Sequence, residues 1–200
     1  MNPRLSATLF VALALSSAGC GGVSSEEQAR RAYLGLDKSI GKSLALGFAG
    51  FNAATSANIS AQSTTGDKSG TLTITGQVDQ GASANKGMRL KVGMVDYSDG
   101  TQAVDGGSIG NITYKTATDP AAQPALELSL KNIPTGTLTG TLVGDFEMAG
   151  DMTGPVHLNL TMSGNLEDDG TGKVRRKAGT TTVSGTATAG QGTYQVNLTL

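Results

Sequence analysis

Tryptophan is absent from this chain, cysteine and histidine occur once each, and aromatic residues make up 4% of its 200 residues. A single cysteine excludes an internal disulfide framework. One thiol and one imidazole cannot assemble a zinc site of the usual donor set. An excess of charge of one sign is also missing, with 15 basic against 16 acidic side chains. Nothing here steers nucleic acid toward a basic stripe, and no nucleic-acid partner is expected. No apolar run approaches the roughly 20 residues that a membrane-spanning helix needs. Glycine, by contrast, is abundant at 29 residues, about twice normal usage. Small and β-branched residues with few aromatics predict many short strands joined by tight turns.

The first 22 residues have their own layout. Arg4 and the amino terminus supply positive charge, and Leu5 to Leu15 is apolar except for Ser6 and Thr8. Small residues then lead to the only cysteine, as Leu15-Ser16-Ser17-Ala18-Gly19-Cys20. This is the plan of a secretory signal peptide. Ala18-Gly19-Cys20 resembles the processing site of a bacterial lipoprotein, with Ser17 where that family usually has Leu. The resemblance implies cleavage before Cys20 and a diacylglyceryl thioether on its sulfur, usually with an N-acyl chain. It covers residues 1–22 only. Stable anchoring takes about two acyl chains or more, so the implied partner is a membrane, held through the N-terminal lipid. Gly21 is not the Asp that resembles an inner-membrane retention signal, which points to the outer membrane in a Gram-negative source. The bland alternative is an ordinary secreted chain with one free thiol.

Removing residues 1–19 takes away Arg4 alone among charged side chains, leaving 14 basic and 16 acidic residues, a net of −2. Residues 20–24 form the lipidated cysteine and a short tether. Ser24 or Ser25 then suits a helix N-cap, with Glu26 and Glu27 favoured by the helix dipole. Ala29, Ala32, Tyr33, Leu36, Ile40, Leu44, Phe48 and Phe51 recur at steps of three and four. The spacing predicts one amphipathic helix over 25–55. Gly41, Gly47 and Gly50 each weaken it by about 1 kcal/mol, so it should bend or end between 47 and 55.

From residue 58 to 200 the apolar period is two. Leu72, Ile74 and Val78 alternate with threonines; so do Met88, Leu90, Val92 and Met94 with Arg89 and Lys91. The same pattern runs through Leu126–Leu130, Leu138–Met148, Val156–Met162 and Tyr194–Leu200. Turn signals lie between the runs, including Asp105-Gly106-Gly107. One buried and one wetted face is the mark of antiparallel strands. The expected fold is α+β and mostly β. The helix packs on a strongly curved antiparallel meander of about eight or nine strands, barrel-like in form.

Candidate chemistry is sparse. Gly41-Lys42-Ser43 ends a near match to a phosphate loop. Five residues separate Gly35 from Gly41 where the motif needs four, and the segment is helical rather than strand–loop–helix. His157 falls on a wetted strand face without a second imidazole or thiol. Asp145, Glu147 and Asp151 lack calcium-loop spacing, as do Glu167, Asp168 and Asp169. The basic run Lys173–Lys177 beside that acidic trio reads as a mixed-charge loop. Asn58, Asn111, Asn159 and Asn197 each begin an Asn-X-Ser/Thr triplet, expected by chance in a threonine-rich chain. No catalytic residue, metal or cofactor is expected, and the chain is expected not to be an enzyme.

Three functions remain open. The first is a lipid-anchored envelope protein whose β domain is a structural or interaction module. The second is a carrier or sensor of apolar ligands, held between helix and sheet against Phe48, Phe51, Leu90, Met94, Leu128, Phe146, Leu160 and Met162. The third is a small outer-membrane β-barrel with its apolar strand face toward lipid.

Overall fold

The computed structural model describes residues 21–104 and 107–200. The leader 1–19, Cys20 and Asp105-Gly106 of the expected turn signal lie outside the described residues.

Ser25 opens the first helix, α1 (Glu26–Leu34), and its hydroxyl accepts a hydrogen bond from the Gln28 backbone N–H at 3.2 Å. Glu26 and Glu27 occupy the first turn, where the helix dipole favours them. The single helix expected over 25–55 is in fact two. The chain stays right-handed through Gly35 and Leu36, then continues as α2 (Asp37–Ala53). At the junction Leu36 N–H bonds back three residues to the Tyr33 carbonyl, and Ser39 N–H does the same to Leu36. The helix runs on through Gly47 and Gly50 and ends at Ala53, within the expected window; the break at Gly35 and Leu36 is the additional one. Gly47 packs against the sheet: an added Cβ would lie 2.7 Å from the Met88 sulfur.

The strands follow as β1 (Asn58–Thr65), β2 (Ser69–Val78), β3 (Lys86–Ser98), β4 (Gln102–Val104), β5 (Gly107–Ile109) and β6 (Ile112–Lys115). After a 3₁₀ turn (Pro120–Ala122) come β7 (Ala125–Lys131), β8 (Thr137–Gly150), β9 (Gly154–Asp168), β10 (Val174–Arg176), β11 (Thr182–Ala189) and β12 (Gly192–Thr199). β4 and β5 form a separate hairpin. The other ten make one antiparallel sheet among the described residues.

Two of its strand positions are interrupted. β6 and β7 both pair with β3 on one side and β8 on the other, and residues 117–123 loop out between them. β10 and β11 likewise both pair with β9. Counted by position, eight neighbours follow chain order, which is the expected meander.

Inward side chains from β2, β3, β7, β8, β9, β11 and β12 meet the apolar faces of both helices in one core. Each fully buried Leu, Ile or Val contributes about 1.5–3 kcal/mol. α1 packs beside β12 and α2 beside β1, so the helices fill the concave face and bridge the two free edges of the sheet. The outward face carries short polar side chains in rows, such as Ser129, Thr139, Ser163, Thr182 and Thr199 across five strands.

Candidate functional site

The sheet does not close on itself, and the outer side of α2 shows through the gap. Gly41, Ala45, Phe48, Ala49 and Asn52 lie along that side at helical spacing. The β9–β10 hairpin stands over it as a wall. Two adjoining grooves run along the helix and meet at Ala45. The first, 530 Å³, lies between Asp37–Lys42 of α2 and residues 175–178. The second, 460 Å³, has Phe48, Phe51, Ile133 and Val174 as its apolar lining, with Lys86 and Lys173 beside them.

Arg176 holds the wall in place. Its guanidinium donates two hydrogen bonds of 2.8 Å to the Asp37 carboxylate and one of 2.9 Å to the Asp37 carbonyl oxygen. Tyr33 donates to the same carboxylate at 2.9 Å. Burial, followed by the negative Asp37, pushes the Tyr33 hydroxyl well above the usual phenol range. The run expected as a mixed-charge loop is strand β10 paired with β9, and it divides its cations: Arg175 pairs with Glu167 at 2.8 Å across the hairpin, whereas Arg176 reaches the helix.

Lys86 anchors the far end of the second groove. The residue is 5% exposed. Its ammonium donates to the Gly81 carbonyl and sits 4.4 Å from the Phe51 ring centroid. Among the described residues no carboxylate lies within ion-pair distance of it. Sequence reasoning missed this residue, although a signal was present. Lys86 shares the parity of Met88, Leu90, Val92 and Met94, and therefore points inward from β3.

A third cluster gathers at the start of α2. The Lys42 ammonium donates to Asp99 at 2.6 Å and to Asp67 at 2.7 Å. Asp99, fully buried, also accepts from Tyr97 at 2.6 Å and from the Asp67 backbone N–H at 3.0 Å. Partial burial lowers Lys42, but the hydrogen bonds it donates to Asp67 and Asp99 outweigh this and raise it above the usual lysine range. Burial first, then Asp99, raises Tyr97. Both groups are therefore held protonated at neutral pH, the opposite of what a general base requires. The near phosphate-loop segment spans the α1–α2 junction and the first turns of α2, and its lysine serves this cluster.

His157 and Asp145 face each other across β9 and β8, with Nδ1 and Oδ1 2.7 Å apart, both exposed. Asp151 accepts from the Asn111 backbone N–H at 2.8 Å. No group of three metal-ligating side chains converges among the described residues. A nucleophile-elbow spacing does occur in the sequence, at Gly106-Gly107-Ser108-Ile109-Gly110. Such an elbow needs its serine on a strand-to-helix turn. Ser108 instead lies within β5, paired with Ala103 of β4.

Of the eight residues expected to face an apolar ligand, Leu90, Met94, Leu128, Phe146, Leu160 and Met162 lie in the core, each at most 3% exposed. Phe48 and Phe51 alone are half-buried and line the groove. Cys20 lies outside the described residues. Comparison of the chain with models of protein families, with curated proteins and with solved structures found no match.

Proposed function

We propose that this chain is a lipid-anchored protein of the cell envelope, tethered through Cys20, whose β domain is a non-catalytic interaction module. The reading rests on the lipoprotein-like leader and on one structural observation. Val23, three residues after Cys20, is fully buried. Gly22 packs against the Thr153 carbonyl oxygen, 3.1 Å from where a Cβ would stand. Three residues span at most about 10 Å. A lipid on Cys20 would therefore hold the β8–β9 turn close to the membrane and leave the opposite end of the sheet facing away.

The direction of the apolar side chains bears on the alternatives. They point inward at α1 and α2, and the outward face is rich in hydroxyls. A transmembrane barrel needs the reverse arrangement on its lipid face. A carrier with its ligand between helix and sheet needs space that the helices occupy.

Mass spectrometry of the protein isolated from its native membrane tests the anchor. The expected mature chain begins at Cys20 and carries the mass of a diacylglyceryl group and an N-acyl chain. A mature chain with a free Cys20 thiol would overturn the reading.

A further inference from the structure

We propose that the groove on the outer side of α2 binds a single-chain anionic amphiphile, with the acyl chain along the helix and the head group on Lys86. This goes beyond the anchored-module reading, because the tether and the groove share no residue.

The argument begins with the buried charge. An ammonium removed from water is ordinarily paired with an anion. Lys86 is 5% exposed and has three N–H donors. One is satisfied by the Gly81 carbonyl, and the Phe51 ring face lies beside the charge. No carboxylate among the described residues completes the shell: Asp79 acts on the charge only from beyond ion-pair distance, and its own oxygens are held by Arg89 and the Gly87 N–H. An inward lysine on an apolar strand face therefore leaves a site for an anion supplied from outside. A carboxylate or phosphate suits it, since charge-assisted hydrogen bonds are the strong ones.

The rest of the groove describes what the anion is attached to. Phe48, Phe51, Ile133 and Val174 give an apolar lining next to the ammonium. Ala45 and Ala49 stand where longer side chains would close the channel. Lys173 at the mouth adds a second cation. From Asp37 to Asn52 the helix rises about 22 Å. An acyl chain reaches about 15 Å, half the hydrocarbon thickness of a bilayer, and so fits along the helix in one piece. Each groove also falls within the roughly 300–1,000 Å³ of small-molecule sites.

The test uses the full chain carrying Cys20→Ala, purified without detergent, titrated with hexadecanoate and separately with hexadecan-1-ol below their micelle concentrations. Calorimetry should show one hexadecanoate per chain, bound at least about tenfold more tightly than the alcohol. Lys86→Met should weaken hexadecanoate about tenfold or more, the span of one charged hydrogen bond, and leave the alcohol within about threefold. Ala49→Trp, at an exposed helix position, should abolish both. An arm with hexadecanoyl lysophosphatidate identifies the head: the tighter of the two anions names it as phosphate or carboxylate. The proposal is overturned if the alcohol binds as tightly as the acid, if Lys86→Met leaves the acid unaffected while circular dichroism is unchanged, or if neither ligand binds. Acylation of Cys20 is a separate measurement, so either result stands without the other.

Discussion

The Tyr114 hydroxyl donates a 2.8 Å hydrogen bond to the Ala32 carbonyl oxygen, across 82 residues of chain and inside the core. Leu36 N–H, which would reach that carbonyl in a continuous helix, turns to Tyr33 instead. The sheet thus terminates α1 through one phenol. Gly35 makes room for it: a Cβ there would stand 2.3 Å from the Tyr114 oxygen.

Tyr114→Phe should destabilise the protein by about 1–2 kcal/mol, the loss of a buried hydrogen bond. Gly35→Ala should destabilise it by a similar amount through overpacking. Because the second effect depends on the oxygen that the first removes, the double variant should be less unstable than the sum by about 1 kcal/mol. Urea denaturation of the four proteins measures this, and strict additivity would refute the contact.

Arg176 and Asp37 form the pair with the largest expected effect. Their side chains are 13% and 19% exposed. Removing one partner of such a pair leaves the other charge stranded and costs about 3 kcal/mol. Arg176→Ala should therefore lower stability by about that much and open the β9–β10 hairpin to limited proteolysis. Arg176→Lys should recover little, because an ammonium cannot reproduce the two-pronged contact.

His157 and Asp145 make the opposite prediction. Both are largely exposed, at 45% and 79% of their side chains. Exposed pairs contribute at most about 1 kcal/mol and often nothing. His157→Ala should shift the denaturation midpoint hardly at all. A loss above 2 kcal/mol would show that the pair does more than the geometry implies.

Stability should decline at both ends of the pH scale. Tyr33, Tyr97 and Tyr114 are all raised, in each case chiefly by burial. The folded state then holds these protons more tightly than the unfolded chain, so its advantage is complete below about pH 10 and falls as pH rises beyond it. On the acid side, hydrogen bonds from Lys42 to Asp67 and from Arg89 to Asp79 lower both carboxyls. Their contribution is present above about pH 4 and fades as pH drops through the folded values. Denaturant midpoints measured across this range should plateau between. In a Tyr194→Phe background, tyrosine ionisation detected well before alkaline unfolding would contradict the burial of the three hydroxyls.

Local patterns carried much of this molecule. Ser25 as N-cap, the apolar helical stripe and the period-two runs each depend on neighbours a few residues apart, and the α+β meander follows from them. The filling of the concave face also follows, because two apolar faces had only each other to bury against. Distance along the chain marks where that reasoning stopped. The helix breaks at Gly35 because of Tyr114, and the hairpin over α2 is held by a residue 139 positions from its partner. Lys86 lies between: its inward parity is written in β3, but the lack of a carboxylate within ion-pair distance of it is a property of the folded core. Periodicity assigns a side chain to a face. Which groups meet there, and which charge is left without a direct ion pair, depends on how the sheet curls around its helices.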